Sequence, residues 1–251
     1  MFLEYVVDNF LLIYLMELGA AIAGSVYLRK VRFPEKGVRL FVYYLWLVVF
    51  VELIGLYPSY NYFNDYNRLG FIKGTLFERN FWWYNSYTVI KFIVLYIFFI
   101  LQLNPSGRRR KLFVISALFI LSFIIHLIFG ESFFKAHSAY MSVTGNLFLM
   151  ILILLYHFEI LKSDRILKFY RSMPFYISIG ILIWHVSITP VFIYNKYFTL
   201  QSPDFIYFQM MLLRSINIFL YGILILGFIV CIFKRDKLSP WLGSSKGEEK
   251  A

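Results

Sequence analysis

Six apolar stretches of the chain each contain one polar side chain whose transfer into hydrocarbon is unfavourable unless it has a polar partner. These side chains are two acids, two bases, an imidazole and an amide: Glu17, Glu52, Lys91, Arg214, His185 and Asn146. Each lies about 8–11 residues from the predicted outer end of its stretch, or roughly 12–17 Å deep at the rise of an α-helix. A charge at that depth costs at least about 2.5–3.5 kcal/mol on insertion scales, so it must face protein or trapped water. The pattern predicts one polar layer inside a helix bundle.

Helical spacing places further polar side chains on the same faces as this layer. In the third stretch, Tyr84, Thr88 and Lys91 are spaced i, i+4, i+7. In the seventh, Tyr207, Arg214 and Asn217 are spaced i, i+7, i+10, and Tyr221 follows at i+14. Arg214 is therefore expected to point into the bundle. The predicted pocket-lining residues are Tyr14, Tyr84, Thr88, Ser178, Thr189, Tyr207 and Asn217.

The layer has chemistry for binding small charged groups. Lys91 and Arg214 are suited to an anion, whereas Glu17 or Glu52 could bind a cation or carry a proton. His185 adds a group that titrates near neutral pH. The alternative is purely structural: Glu17 and Glu52 would neutralise Lys91 and Arg214 as ion pairs that fix helix register. For the layer as a whole we expect a water-accessible pocket that opens to the outside.

Composition and run lengths predict the elements that must position these groups. Of the 251 residues 60% are hydrophobic, with mean hydropathy +0.68, which is typical of membrane proteins. Seven runs reach the length that a spanning helix needs. The predicted fold is an all-α bundle of seven transmembrane helices within residues 1–237, followed by a disordered cytoplasmic tail at 238–251. The predicted helices are 6–28, 40–60, 82–104, 112–129, 138–161, 174–195 and 205–233.

Basic residues predict the orientation of the bundle. Loops on one side, with the tail, hold 18 of the 25 Lys and Arg residues, and the opposite loops hold five. The positive-inside rule then places the N-terminus outside and the C-terminus in the cytoplasm. We expect a multi-pass protein of the bacterial cytoplasmic (inner) membrane. The net charge of +11 reflects this topology, so nucleic acid is not an expected partner.

The motifs of common enzyme and metal sites are missing from the sequence. There is one cysteine, Cys231, and there is no Cys-x-x-Cys, His-Glu-x-x-His or Gly-x-Ser-x-Gly motif. The histidines His126, His157 and His185 fall at different predicted depths, which disfavours a shared metal. We therefore expect no cofactor, no metal and no catalytic residues, with an intramembrane enzyme acting on lipid as the least favoured alternative.

Two stretches carry a resemblance to a known group of proteins. Trp83-Tyr-Asn85 and Phe175-Tyr-Ile-Ser-Ile-Gly-Ile-Leu-Ile-Trp184 resemble segments of small uncharacterised bacterial seven-helix membrane proteins with a sensory, receptor-like layout. That group is associated with signalling gene clusters that include sensor kinases. The resemblance implies a sensory or accessory protein, with the lipid bilayer, a small ligand and a membrane or cytoplasmic partner such as a signalling kinase as its partners.

Sequence similarity between two parts of the chain supports a second hypothesis. Gly55-Leu-Tyr-Pro58 ends the second run and Ser187-Ile-Thr-Pro190 lies near the end of the sixth, each followed by an aromatic cluster. Runs 1–3 and 5–7 would then be parallel repeats joined by run 4. This layout resembles that of small sugar transporters built as 3+1+3 helices, although the Pro-Gln signatures of that family are missing. The alternative function is a small transporter or proton-coupled carrier.

Overall fold

The computed structural model describes residues 1–130, 132–167, 169–197 and 203–236, and within these ranges the regular structure is helical without a strand. Seven helices are long and apolar enough to cross a membrane, as predicted. The all-α fold class is therefore confirmed. We number the long helices α1 Leu11–Lys30, α2 Val38–Gly55, α3 Phe81–Gln102, α4 Gly107–Phe129, α5 Ala139–Leu161, α6 Met173–Tyr197 and α7 Pro203–Asp236.

The predicted boundaries differ from the structure mainly at the first two helices. The run predicted at 6–28 is broken at Phe10, and a separate short helix, Phe2–Asn9, precedes α1. The chain of α2 turns at Leu56 and continues as a second helix, Tyr57–Phe63. Pro58 stands in the first turn of that helix, where a missing amide hydrogen costs nothing. The predicted disordered tail, 238–251, lies outside the described residues.

The main helix contacts form a closed circuit of six helices. α1 packs against α2 and α7, α3 packs against α2 and α5, and α6 packs against α5 and α7. We call this circuit the helix ring. α4 lies outside it and packs on α3. The ring of Phe119 on α4 also stacks on Phe148 of α5, with centroids 4.6 Å apart.

The ring divides into two equivalent triplets. Exchanging α1 with α5, α2 with α6 and α3 with α7 converts every contact of the circuit into another contact of the circuit. Within each triplet neighbouring helices are antiparallel, whereas the contacts between triplets, α3 with α5 and α7 with α1, join helices of the same direction. This is the contact pattern that two parallel three-helix repeats joined by one linker helix would produce.

Small residues set the closest helix approaches. Ala20 and Ala21 are fully buried, and a Cβ built on Gly24 would lie 2.9 Å from Val42 on α2 and 3.1 Å from Phe228 on α7. On α5, a Cβ at Gly145 would lie 2.4 Å from the ring of Phe92 on α3. Inside lipid the hydrophobic effect does not drive helices together, so van der Waals contact at these small residues contributes to helix association.

An ion pair fastens the loop between α3 and α4 to α5. The Glu159 carboxylate accepts from the Arg108 guanidinium and, at 2.8 Å, from the backbone N–H of Asn104. Glu159 is 8% exposed. Arg108 is 51% exposed, so only the carboxylate of this pair is buried, and loss of the guanidinium would leave that carboxylate with the Asn104 N–H as its remaining donor.

Replacing Gly145 by valine should destabilise the protein. The added methyl groups would occupy the space of the Phe92 ring, and overpacking of this kind costs about 1–3 kcal/mol. We expect a lower thermal unfolding temperature in detergent. Gly107→Ala is the matched control, because a Cβ there meets no atom within 4 Å. Equal unfolding temperatures for Gly145→Val and the unchanged protein would contradict the close approach of α3 and α5.

Candidate functional site: a polar interior within the helix ring

Two acidic side chains, one on α1 and one on α2, lie within electrostatic range of each other. Glu17 is 5% exposed and interacts electrostatically with Glu52 on α2. Glu52 accepts a hydrogen bond from the hydroxyl of Tyr84 at 2.9 Å. Tyr14 lies within electrostatic range of both acids, and Tyr221 of α7 approaches Glu17 with its hydroxyl. We call these five residues the acidic half of the interior.

A tyrosine pair adjoins the acidic half. The hydroxyls of Tyr44 on α2 and Tyr87 on α3 are 2.9 Å apart, and their rings are stacked at 6.4 Å. Neither tyrosine was among the predicted pocket-lining residues. Helical spacing could have predicted the pair. Tyr87 is four residues before Lys91 and Tyr44 is eight residues before Glu52, so each tyrosine shares a helix face with a predicted site residue.

Lys91 reaches across the ring interior from α3 to α6. Its Nζ atom is 4.6 Å from the ring centroid of Phe92 and 5.6 Å from that of Trp184. Trp184 donates from Nε1 to Oδ1 of Asn217 on α7 at 2.8 Å. Because α3 and α6 are not neighbours in the circuit, the contact between Lys91 and Trp184 places both side chains inside the ring.

A directed hydrogen-bond chain lies beside Lys91. Thr189 donates to the carbonyl of His185 at 2.6 Å, and its oxygen accepts from Nδ2 of Asn146 at 3.1 Å. His185 donates from Nδ1 to the carbonyl of Ile181 at 2.8 Å, since a carbonyl can only accept. The basic half of the interior comprises Lys91, Asn146, Trp184, His185, Thr189 and Asn217.

Most of the predicted site residues come together in these two halves. Thr88 and Ser178, which were predicted to line the pocket, donate their hydroxyls to backbone carbonyls of their own helices, Tyr84 at 2.8 Å and Phe175 at 2.7 Å. These two hydroxyls therefore stabilise helix backbone and offer less to a ligand.

The prediction that Arg214 points into the bundle is wrong. Arg214 is exposed and Tyr207 is 71% exposed, whereas Tyr221 on the same helix is buried. α7 has 34 residues, so it is roughly 50 Å long and exceeds a hydrocarbon core of about 30 Å. Arg214 lies 11 residues from the start of this helix, on the face turned away from the ring interior.

The ion pairs of the structural alternative do not form among the residues that the structure describes. Among the described residues, salt bridges join the N-terminus to Glu4 and Arg108 to Glu159. Neither Glu17 nor Glu52 lies within 4.0 Å of Lys91 or Arg214. Lys91 is instead directed toward α6, and Arg214 is outside the ring. The interior thus separates its acids from its base.

Hydrogen bonds from Asn80 and Asn85 attach loop backbone to the end of the ring beyond Tyr84, which we call the cap face. The side chain of Asn85 donates to the carbonyls of Phe133 at 3.0 Å and Ala136 at 2.9 Å, and accepts from the N–H of Ser138 at 3.1 Å. Asn80 donates to the carbonyl of Gly55 at 2.7 Å. A cleft of about 430 Å³ lies on the same face, lined by Tyr5, Pro58, Ser59, Tyr62, Phe63, Tyr66, Glu78 and Arg79.

Glu78 organises the loop that forms one wall of this cleft. Its carboxylate accepts from the N–H of Gly74 at 2.9 Å and from the hydroxyl of Tyr66 at 2.8 Å. Gly74 has φ +76°, a conformation that favours glycine. The Gly74 and Tyr66 hydrogen bonds lower the pKa of the Glu78 carboxyl.

Comparisons with protein-family models, with curated proteins and with solved structures found no match for this chain.

The loop from Tyr66 to Glu78 should loosen in acid. Because the folded-state pKa of Glu78 is lowered, its stabilising effect is present above the ordinary carboxyl pKa and is lost as pH falls through the lowered value. Glu78→Gln should reproduce the acid effect at neutral pH. Hydrogen exchange of the Gly74 amide, read by mass spectrometry, should be faster in this variant.

Asp8→Asn is the control, since Asp8 is an exposed acid outside the loop. Unchanged exchange in Glu78→Gln, or an equal increase in Asp8→Asn, would show that Glu78 does not hold the loop.

Proposed function

We propose that this chain is a small membrane carrier that takes a polar solute into the interior of its helix ring and couples its movement to protons on Glu17 and Glu52. The observation that carries the proposal is the pair of neighbouring carboxyl groups inside a ring of two equivalent helix triplets.

The ring supports alternating access. Two equivalent triplets can rock against each other about the interior without either triplet changing its internal packing. Side chains from all six ring helices reach that interior, so each rocking movement would change the surroundings of the bound solute. α4 stays outside and links the triplets.

The carboxyl pair supports proton coupling. No cation lies within 4.0 Å of either group among the described residues. Two negative charges without a counter-ion in a bundle interior cost several kcal/mol each, so the pair holds a proton. Solute binding and release would then change the number of protons that Glu17 and Glu52 hold.

The same proposal includes the orientation of the chain. The excess of Lys and Arg on the loops between α1 and α2, α3 and α4, and α5 and α6 supports an inner-membrane protein with its N-terminus outside. The cap face, with Asn80 and Asn85, then faces outward, and the Arg108–Glu159 ion pair faces the cytoplasm.

A sensory or accessory protein is the second candidate. Its support is the exposed basic surface at the N-terminal end of α4, where Arg110 and Lys111 are available to an acidic partner such as a signalling kinase. The Arg108–Glu159 pair ties this end of α4 to α5, so a shift of the ring on ligand binding would reach the partner through it.

Cysteine labelling checks the orientation. In a Cys231→Ala background, Tyr62→Cys should react with a membrane-impermeant maleimide in intact cells, because Tyr62 is exposed on the cap face. Ser106→Cys, on the opposite face, should react only after the membrane is opened. The reverse pattern would place the N-terminus in the cytoplasm.

Proteoliposomes test the carrier. With a panel of small polar solutes, we expect solute-dependent proton uptake that is reduced by about tenfold or more in Glu17→Gln and in Glu52→Gln, which remove the proton site but keep the shape. Uptake is read with a pH-sensitive dye trapped in the vesicles.

Asp8→Asn, a neutralised acid outside the ring, should transport normally. Proton uptake that no solute stimulates would refute the carrier proposal, and normal coupling in both glutamine variants would refute the role of the pair. Recovery of a co-purified kinase that is lost in Arg110→Glu/Lys111→Glu would favour the sensory candidate.

A further inference from the structure

We infer that the basic half of the ring interior is a binding site for a small hydroxylated carboxylate, with Lys91 binding the carboxylate and with His185 and Asn146 accepting from hydroxyl groups. The inference rests on the proposed function, since it names the solute class that the same interior would take up.

The hydroxyl requirement follows from two orphaned acceptors. His185 uses Nδ1 as a donor to Ile181, so in neutral histidine Nε2 presents a lone pair. The Thr189 hydroxyl donates to a carbonyl, so Asn146 must turn its N–H toward Thr189 and leave Oδ1 as an acceptor. No described residue offers a hydrogen bond to Nε2 of His185 or to Oδ1 of Asn146.

Both orphaned acceptors are deeply buried. His185 is 3% exposed and Asn146 is 0% exposed. A buried polar atom without a partner costs about 1–3 kcal/mol, so a ligand that supplies two donors recovers that energy. An anion without hydroxyl groups would donate no hydrogen bond, and the lone pairs of the two acceptors would repel it. Hydroxyl groups meet the requirement.

The carboxylate requirement follows from Lys91. Its ammonium group is in contact with the faces of Phe92 and Trp184, and no carboxylate of the described residues lies within 4.0 Å. Aromatic faces stabilise a cation only in part. A ligand carboxylate beside Lys91 would give the charge-assisted hydrogen bond that the protein itself does not provide.

Access to this group of side chains is through its partly exposed members. Part of the side-chain surface of Lys91 is accessible, and Trp184 and Asn217, which are joined by a hydrogen bond, are also only half-buried. A small molecule would contact these side chains first. Nε2 of His185 and Oδ1 of Asn146 have no accessible surface, so its hydroxyl groups would reach them after neighbouring side chains shift.

A series of three-carbon probes separates the two requirements. Glycerate has a carboxylate and two hydroxyls, propionate has only the carboxylate, and 1,2-propanediol has only the hydroxyls. In nanodiscs at neutral pH, calorimetry should show glycerate binding at least about tenfold more tightly than either of the others, as expected for a charge-assisted hydrogen bond or two neutral ones.

Variants show which residue is responsible for each part of the tighter binding of glycerate. Lys91→Met should remove the advantage of glycerate over 1,2-propanediol, and Asn146→Leu and His185→Phe should each reduce its advantage over propionate. Arg214→Gln is the matched control, since it neutralises a cation within an apolar helix but on an exposed face, and it should bind glycerate normally. Thermal unfolding of each variant identifies any that fail to fold, and Asn146→Leu, with its similar volume, serves where His185→Phe does not fold.

Three results would overturn the inference: no binding of any probe, equal binding of all three, or loss of glycerate binding in Arg214→Gln. Binding is measured without transport, so the two proposals fail separately. Glycerate binding without proton uptake would refute the carrier and keep the site, whereas proton-coupled uptake of another solute without glycerate binding would refute the site and keep the carrier.

Discussion

The cost of polar groups in a low-dielectric interior governs this structure. Hydrocarbon outside the bundle excludes them, so the ring must enclose the acids, the lysine and the tyrosines that its helices carry. The protein meets this cost in two ways. Tyrosine hydroxyls surround Glu17 and Glu52, and aromatic faces surround Lys91. Because acids and base are not paired with each other, each half remains able to bind something else.

The number of helices and the presence of a polar interior could be predicted because both follow from local rules. An apolar run of spanning length has few alternatives, and a buried charge needs a polar neighbour. Which charges meet depends on rotation and vertical offset, and these are set by packing between distant helices. Arg214 and Asn217 are three residues apart, yet one is exposed and the other bonds Trp184. Spacing alone did not distinguish them.

The two faces of the ring differ in how they are held. On the cap face, the side chains of Asn80, Asn85 and Glu78 hold the loops through hydrogen bonds to main-chain groups. The other is fastened by the Arg108–Glu159 ion pair. The first face is thus held by several hydrogen bonds between neutral groups or to main-chain atoms, and the second by one charge-assisted contact whose guanidinium is half exposed.

The position of α4 outside the ring has a consequence for how such a protein arises. A chain of three crossings ends on the side opposite to its start, so a second copy joined directly would enter the membrane upside down. One further crossing restores the original direction. α4 makes that crossing from outside the ring, and its contacts with the ring include those of Arg108 with Glu159 and of Phe119 with Phe148. Two parallel three-helix repeats therefore require an odd total of helices.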